Sequence, residues 1–198
     1  MGIKHVGKQG GFTLVEVAVS VGIFCIISAV MLSFFIQGTA LWHLVINQSD
    51  ARSVARNAMN YLTRELQNAT RTSNLNPHPN PPNLVIPSKP NNTSVDFYLP
   101  VDNDDNGFII DAIGDTEWDL NNKIQYQYVP GLKILRRLEK GNQYIIVSNV
   151  SSIEFEDKSI NPALYNNEVK IILTLKRAIQ QNRTIFITLT SIVKLRNQ

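Results

Sequence analysis

An apolar run with one acid near its start constrains this chain more than any other feature. Residues 12–36 are dominated by Val, Ile, Leu, Phe and Ala, and Glu16 is the only Asp, Glu, Lys or Arg between Phe12 and Asn47. A helix needs about 20 such residues to cross roughly 30 Å of hydrocarbon. We therefore expect a transmembrane helix over residues 12–36. Because a carboxylate in such a segment costs free energy, Glu16 requires a role.

The segment before the run is basic and short. Lys4 and Lys8 lie in it, without Asp or Glu, so the N-terminus is expected to stay cytoplasmic while the rest of the chain faces outward. Two interpretations of the run are a simple membrane anchor and a secretory signal peptide cut near the small residues 38–40. A secretory signal has an apolar stretch of only about 7–15 residues, which is shorter than this one.

A third interpretation rests on the residues GFTLVEV that begin at Gly11. They resemble the cleavage and methylation site of type IV pilins and type II secretion pseudopilins. The resemblance implies that a prepilin peptidase removes residues 1–11 as a leader and methylates the new N-terminus at Phe12. Glu16 matches the family's fifth mature residue, which pairs with the N-terminus of a neighbouring subunit. The helix dipole also favours its charge near a helix start.

The predicted helix continues beyond the apolar run. Neither Pro nor Gly occurs between Thr39 and Asn76, and past Asp50 apolar residues recur at three- and four-residue steps. We predict an amphipathic continuation over residues 37–72, with one apolar stripe for packing against a domain. Residues 56–70, RNAMNYLTRELQNAT, resemble the corresponding helix of minor pseudopilins of the J type and of PilW-like minor pilins.

The remaining chain predicts a connector followed by β-structure. Residues 73–93 contain six of the nine prolines and are expected to form a surface loop. Residues 94–198 alternate apolar and polar side chains between turn signals such as Pro130-Gly131 and Gly141-Asn142, which is typical of antiparallel strands. The fold class is therefore α+β. The resemblance implies a pilin-like form, in which a long N-terminal helix packs on an antiparallel β-sheet domain.

Residues 102–107, DNDDNG, are the best candidate for a metal site. Oxygen ligands at alternate positions before a glycine resemble the opening of an EF-hand-type calcium loop. The expected Ca²⁺ ligands are three side chains and one backbone carbonyl: Asp102, Asp104, Asn106 and Phe108. The twelfth position is Ile113 rather than an acid, so Asp111 or Asp115 would have to complete the site. A plain polar turn is the alternative.

Composition and motifs argue against several function classes. The net charge of +3 argues against a dedicated nucleic-acid partner, and one cysteine, Cys25, rules out an intramolecular disulfide. The sequence contains no P-loop, GxGxxG or CxxC motif, and we expect no enzyme. The acids Glu154, Glu156 and Asp157 near a predicted strand end are interpreted as a solvated edge.

These observations predict a minor pilin or pseudopilin: a single-pass protein of the bacterial inner membrane with an extracytoplasmic β-domain. It would assemble into a type IV pilus-like or type II secretion filament that serves secretion, adhesion or DNA uptake. The resemblance implies other pilin or pseudopilin subunits, the prepilin peptidase and an inner-membrane assembly platform as partners. The alternative is a binding module, an adhesin or DNA receptor, tethered to the membrane or displayed on a filament.

Overall fold

The computed structural model describes residues 13–70, 84–110, 116–179 and 183–195. Its elements in chain order are one helix and seven strands: α1 (Leu14–Gln67), β1 (Ser94–Phe97), β2 (Ile124–Val129), β3 (Ile134–Glu139), β4 (Asn142–Ser148), β5 (Val150–Glu156), β6 (Glu168–Ile179) and β7 (Arg183–Lys194). One long N-terminal helix followed by antiparallel sheets confirms the predicted α+β, pilin-like class. The chain divides into two compact units, Met1–Ile46 and Asn47–Gln198.

The first unit contains the apolar part of α1. Its large hydrophobic side chains are exposed along this stretch, from Leu14 to Ile46. A soluble helix would bury such a surface, whereas a helix surrounded by lipid needs no protein cover. Within the described residues, α1 is the one helix that is long and apolar enough to cross a membrane.

In the second unit, the rest of α1 buries one stripe. The stripe consists of three small and three larger apolar residues at helical spacing: Ala51, Ala55, Ala58, Met59, Leu62 and Leu66. They share one core with strand residues such as Tyr126, Phe155 and Leu173. The prediction that this stripe packs against the β-domain is therefore confirmed. Beyond the helix end, the Thr70 N–H donates to the Tyr98 carbonyl at 3.1 Å.

The strands form two antiparallel sheets, with orders β1-β2-β3-β4 and β5-β6-β7. The sequence did not predict this division. Asn149 alone separates β4 from β5, and its φ of 61° lies in the left-handed region, which Asn tolerates better than most residues. The chain thus leaves one sheet and enters the other within a single residue.

The hairpin turns lie where the sequence predicted them, except that the β3–β4 turn begins one residue earlier. The β3–β4 loop consists of Lys140 and Gly141, both at positive φ, rather than of the predicted Gly141-Asn142 pair. Two positive φ values are typical of the type I′ turn, which matches the twist of the flanking strands. Asn142 instead pairs with Glu139 as the first residue of β4. Residues 180–182, between β6 and β7, lie outside the described residues.

Candidate functional site

The N-terminal motif is described from Thr13 onward, so the predicted processing residues Gly11 and Phe12 lie outside the described residues. Thr13 and Glu16 form a capping box. The Thr13 backbone N–H and hydroxyl donate to Glu16 Oε2 at 2.9 and 3.0 Å, and the Glu16 N–H donates to Thr13 Oγ1 at 3.3 Å. Each side chain therefore satisfies a backbone donor that the first helical turn leaves unpaired.

The capping box changes the interpretation of Glu16. The Thr-x-x-Glu spacing is a sequence signal for such a turn, and an argument from the helix dipole alone missed it. Glu16 has a structural role in its own subunit, because it closes the start of α1. It is also exposed, so a cation on another molecule can still reach its carboxylate.

The predicted metal loop folds onto its own backbone. Asp102 accepts from the backbone N–H groups of Asn106 and Gly107 at 3.1 and 2.7 Å. Asp104 Oδ1 also accepts from the Asn106 N–H at 3.2 Å, and the Asn106 side-chain oxygen accepts from the Phe108 N–H at 2.7 Å. Three of the four predicted ligand residues thus stabilise the loop through their side-chain oxygens.

The structure adds Glu117 to this loop. One carboxylate oxygen from each of Asp102, Asp104 and Glu117 lies within 4.8 Å of the other two. The Asn103 N–H donates to Glu117 Oε2 at 2.5 Å, which ties the loop to the segment that carries this acid. Three carboxylates match the hard oxygen ligands that Ca²⁺ prefers, so the donor chemistry fits this ion.

No sequence pattern predicted the contribution of Glu117, which lies 15 positions after Asp102 rather than at the twelfth position of a calcium loop. The two candidates named for that position, Asp111 and Asp115, lie outside the described residues. The Val101 N–H donates to the Glu117 carbonyl at 3.1 Å, and this contact brings the two segments together.

An ionic network around the buried Arg137 joins α1 to the four-stranded sheet. Arg137 of β3 is 6% exposed, and its guanidinium contacts Glu65 of α1 at 3.0 Å and Glu139 at 2.5 Å. The Tyr126 hydroxyl also donates to Glu65. The pKa of Glu139 is lowered, chiefly because Arg137 donates to its carboxylate. These groups hold the helix against β2 and β3.

The acids at the end of β5 are buried, so the prediction of a solvated edge was wrong for two of them. Glu156 and Asp157 are 5% and 2% exposed. Lys89 lies 2.8 Å from Glu156 Oε1 and Lys170 lies 3.4 Å from Oε2, and these cations lower the Glu156 pKa to about 2, with Lys89 the leading cause. The cations come from distant segments of the chain, which is why local sequence did not reveal the pairing.

Comparison with known proteins gave a family match in the N-terminal part of the chain. Residues 7–32 match a family model described as the prokaryotic N-terminal methylation motif, and this range includes Gly11, Phe12 and Glu16. Neither the curated proteins nor the solved structures gave a match. A motif of this type implies pilin subunits and a prepilin peptidase as partners, and it points to a structural subunit rather than an enzyme.

The family match, the apolar helix and the fold lead to the same conclusion. The methylation motif overlaps the start of a helix that can cross a membrane once, and this helix continues into an α+β domain with two antiparallel sheets. The N-terminal part of the chain therefore carries a prepilin-type methylation motif on a helix that could anchor it in a membrane, and the described residues have a pilin-like architecture.

Proposed function

We propose that this protein is a minor pilin or pseudopilin whose function is to assemble into a type IV pilus-like or type II secretion filament. The observation that carries the proposal is the methylation motif over residues 7–32, with an acid in the first turns of an apolar helix. In the proposed cycle, prepilin peptidase cuts after Gly11 and methylates Phe12, and an inner-membrane platform then adds the subunit to a filament. The Asn47–Gln198 unit faces away from the cytoplasm.

Glu16 is the proposed assembly residue. A carboxylate in an apolar environment is stabilised by a nearby cation, and cleavage after Gly11 creates one, the α-amine of Phe12. The exposed position of Glu16 is compatible with contact to that amine on a neighbouring subunit. The capping box supports this role, because it orients the carboxylate before the partner arrives.

We expect the substitution Gly11→Ala to abolish most processing by prepilin peptidase, because an added methyl group at the cleaved bond obstructs a site that accepts glycine. The measurement is the intact mass of the full-length protein expressed with and without the peptidase. The wild-type protein should lose residues 1–11 and gain one methyl group.

Gly10→Ala is the matched control, since it adds the same methyl group one residue before the cleaved bond. We expect this variant to be processed normally. Equal processing of the Gly11→Ala variant and the wild-type protein, or a mature chain that starts elsewhere than Phe12, would contradict the proposed function.

Calcium binding at the acidic loop stays a prediction, with Glu117 added to the expected ligands Asp102, Asp104, Asn106 and Phe108. An ion that binds only the folded state stabilises it by mass action, by about 0.6–1.8 kcal/mol at a twofold to twentyfold excess over Kd. We expect about 2 mM Ca²⁺ to raise the Tm of the detergent-solubilised protein by a few degrees relative to EDTA, since extracellular sites bind with Kd of about 0.1–1 mM.

The variant Asp102→Asn should lose this increase in Tm, because it removes one of the three carboxylates. Asp119→Asn is the control: Asp119 lies outside the three-carboxylate cluster, 3.9 Å from Lys140. A wild-type Tm that is the same in Ca²⁺ and EDTA would refute the calcium prediction without affecting the proposed role in assembly.

A further inference from the structure

Three of the four outer strands of the two sheets are protected against pairing with another chain. On the outer side of β1, Val85 and Asp96 exchange backbone hydrogen bonds of 2.8 and 2.9 Å. The register of β4 shifts between its partners Leu135 and Arg136, which marks a bulge. Bulges and covering segments are devices by which proteins prevent edge-to-edge association.

The third protected edge is β5. Its register also shifts, between Val150 and Ser152. The Phe155 N–H donates to the Asn92 carbonyl at 2.8 Å, and the Asn92 side-chain amide donates back to the Phe155 carbonyl at 3.1 Å. Both backbone groups of Phe155, near the end of β5, are thus already satisfied on the outer side.

The fourth edge, β7, has none of these protections within the described residues. It pairs with β6 through twelve consecutive residue pairs without a register shift. From Thr184 to Val193 it contains no Pro, Gly or charged residue. Its outward side chains include Phe186 and Ile192, which are 60% and 56% exposed. A long, regular and uncharged edge of this kind is a template for pairing with another strand.

The side chains of β7 are arranged symmetrically about Leu189. Phe186 lies three residues before it and Ile192 three residues after it, and both are on the exposed face. In an antiparallel pair of two identical strands centred on Leu189, Phe186 of each copy lies opposite Ile192 of the other. Aromatic and β-branched residues opposite each other are among the stabilising cross-strand pairs.

We propose that β7 is a self-association surface, on which β7 of a second copy of this chain pairs in antiparallel orientation about Leu189. The same register places Thr188 opposite Thr190 and Thr184 opposite Lys194, so no like charges face each other. The contact has two-fold symmetry and is closed, so it joins two subunits side by side and does not extend a filament. It is independent of the proposed processing and assembly.

Disulfide cross-linking of the full-length, detergent-solubilised chain tests the register. In a Cys25→Ser background, Thr188→Cys and Thr190→Cys chains of different mass are mixed and gently oxidised. The two thiols would lie on directly opposed residues about 4.5–5.5 Å apart at Cα, within the range of a disulfide. We expect a mixed disulfide dimer as the main cross-linked product.

Thr174→Cys mixed with Thr188→Cys is the matched control. Thr174 of β6 lies on the same exposed face, directly opposite Thr188 of β7, with 3.0 Å between their hydroxyl oxygens. In the proposed dimer it is two strands away from Thr188 of the other copy, about 10 Å or more, which is too far for a disulfide. Absence of the Thr188–Thr190 product, or equal cross-linking of the control pair, would overturn the proposal.

A second measurement does not depend on introduced thiols. We expect the double substitution Phe186→Ser and Ile192→Ser to weaken dimerisation at least about tenfold, as judged by native mass spectrometry in detergent, since about 1.4 kcal/mol of lost contact suffices. Leu132→Ser removes an apolar side chain of similar exposure, 66%, from the turn before β3 and should leave the dimer unchanged. An unchanged dimer fraction in the β7 double variant would also overturn the proposal.

Discussion

Replacing Arg137 by Met should lower the free energy of unfolding of the Asn47–Gln198 unit by about 3 kcal/mol, the lower end of the range for breaking a buried ion pair. Arg137 is 6% exposed and contacts Glu65 and Glu139 at once. Met keeps most of the buried stem but removes the charge, so two carboxylates lose their cation. Urea unfolding of the full-length chain in detergent, followed by near-ultraviolet circular dichroism, measures the loss.

Arg136→Met is the matched control because it changes the adjacent residue on the opposite face of β3. Arg136 donates to Gln127 and Gln143, both neutral, and is only half-buried. Neutral partners on a wet face contribute about 1 kcal/mol or less. Similar losses in the two variants would show that the network around Arg137 has no special importance.

The Arg137→Met and Arg136→Met variants should also differ in how their stability depends on pH. Arg137 lowers the pKa of Glu139 in the folded state, so this carboxylate contributes stability above its unfolded-state pKa. That contribution disappears as the pH falls through the lowered, folded-state pKa. The wild-type protein and the Arg136→Met variant should therefore lose stability more steeply on acidification than the Arg137→Met variant, in which Glu139 has lost its main cause of a low pKa.

The fold was largely predictable because its strongest signals are local. The three- and four-residue spacing past Asp50 anticipated the buried stripe of α1, and the alternation in the last two strands anticipated the buried face with Ile171 and Leu173. The division into two sheets was missed because it depends on the conformation of one residue, Asn149. Nothing in the neighbouring residues required a change of sheet there.

The same distinction between local and long-range signals explains which candidate sites the sequence revealed. Glu16 stood out in the sequence because its environment is set by its immediate neighbours, and its capping partner, Thr13, is three residues away. Glu117 did not stand out, since it reaches the acidic loop through a contact between separate segments. The pairing of Glu65 with Arg137 joins residues 72 positions apart, which no periodicity can show.

The capping box raises a question that two substitutions can answer: whether Glu16 acts through its hydrogen bonds or through its charge. Glu16→Gln keeps a side-chain oxygen that can accept from Thr13, because Gln also occupies this position of capping boxes, but it removes the charge. Thr13→Ala keeps the charge and removes the hydroxyl that bonds to Glu16 Oε2 at 3.0 Å. If the carboxylate pairs with the Phe12 amine of a neighbouring subunit, only the first substitution should impair assembly.

We expect the Glu16→Gln variant to be processed and inserted in the membrane but to be incorporated into filaments at least about a hundredfold less, since breaking a desolvated charge pair costs about 3–5 kcal/mol. The Thr13→Ala variant should be incorporated almost normally, because loss of a helix cap costs only about 1 kcal/mol and the apolar helix is otherwise unchanged. The measurement is the amount of subunit in sheared filaments relative to the membrane fraction. A loss in the Thr13→Ala variant alone would assign Glu16 to helix capping, and normal incorporation of the Glu16→Gln variant would remove the charge from the mechanism of assembly.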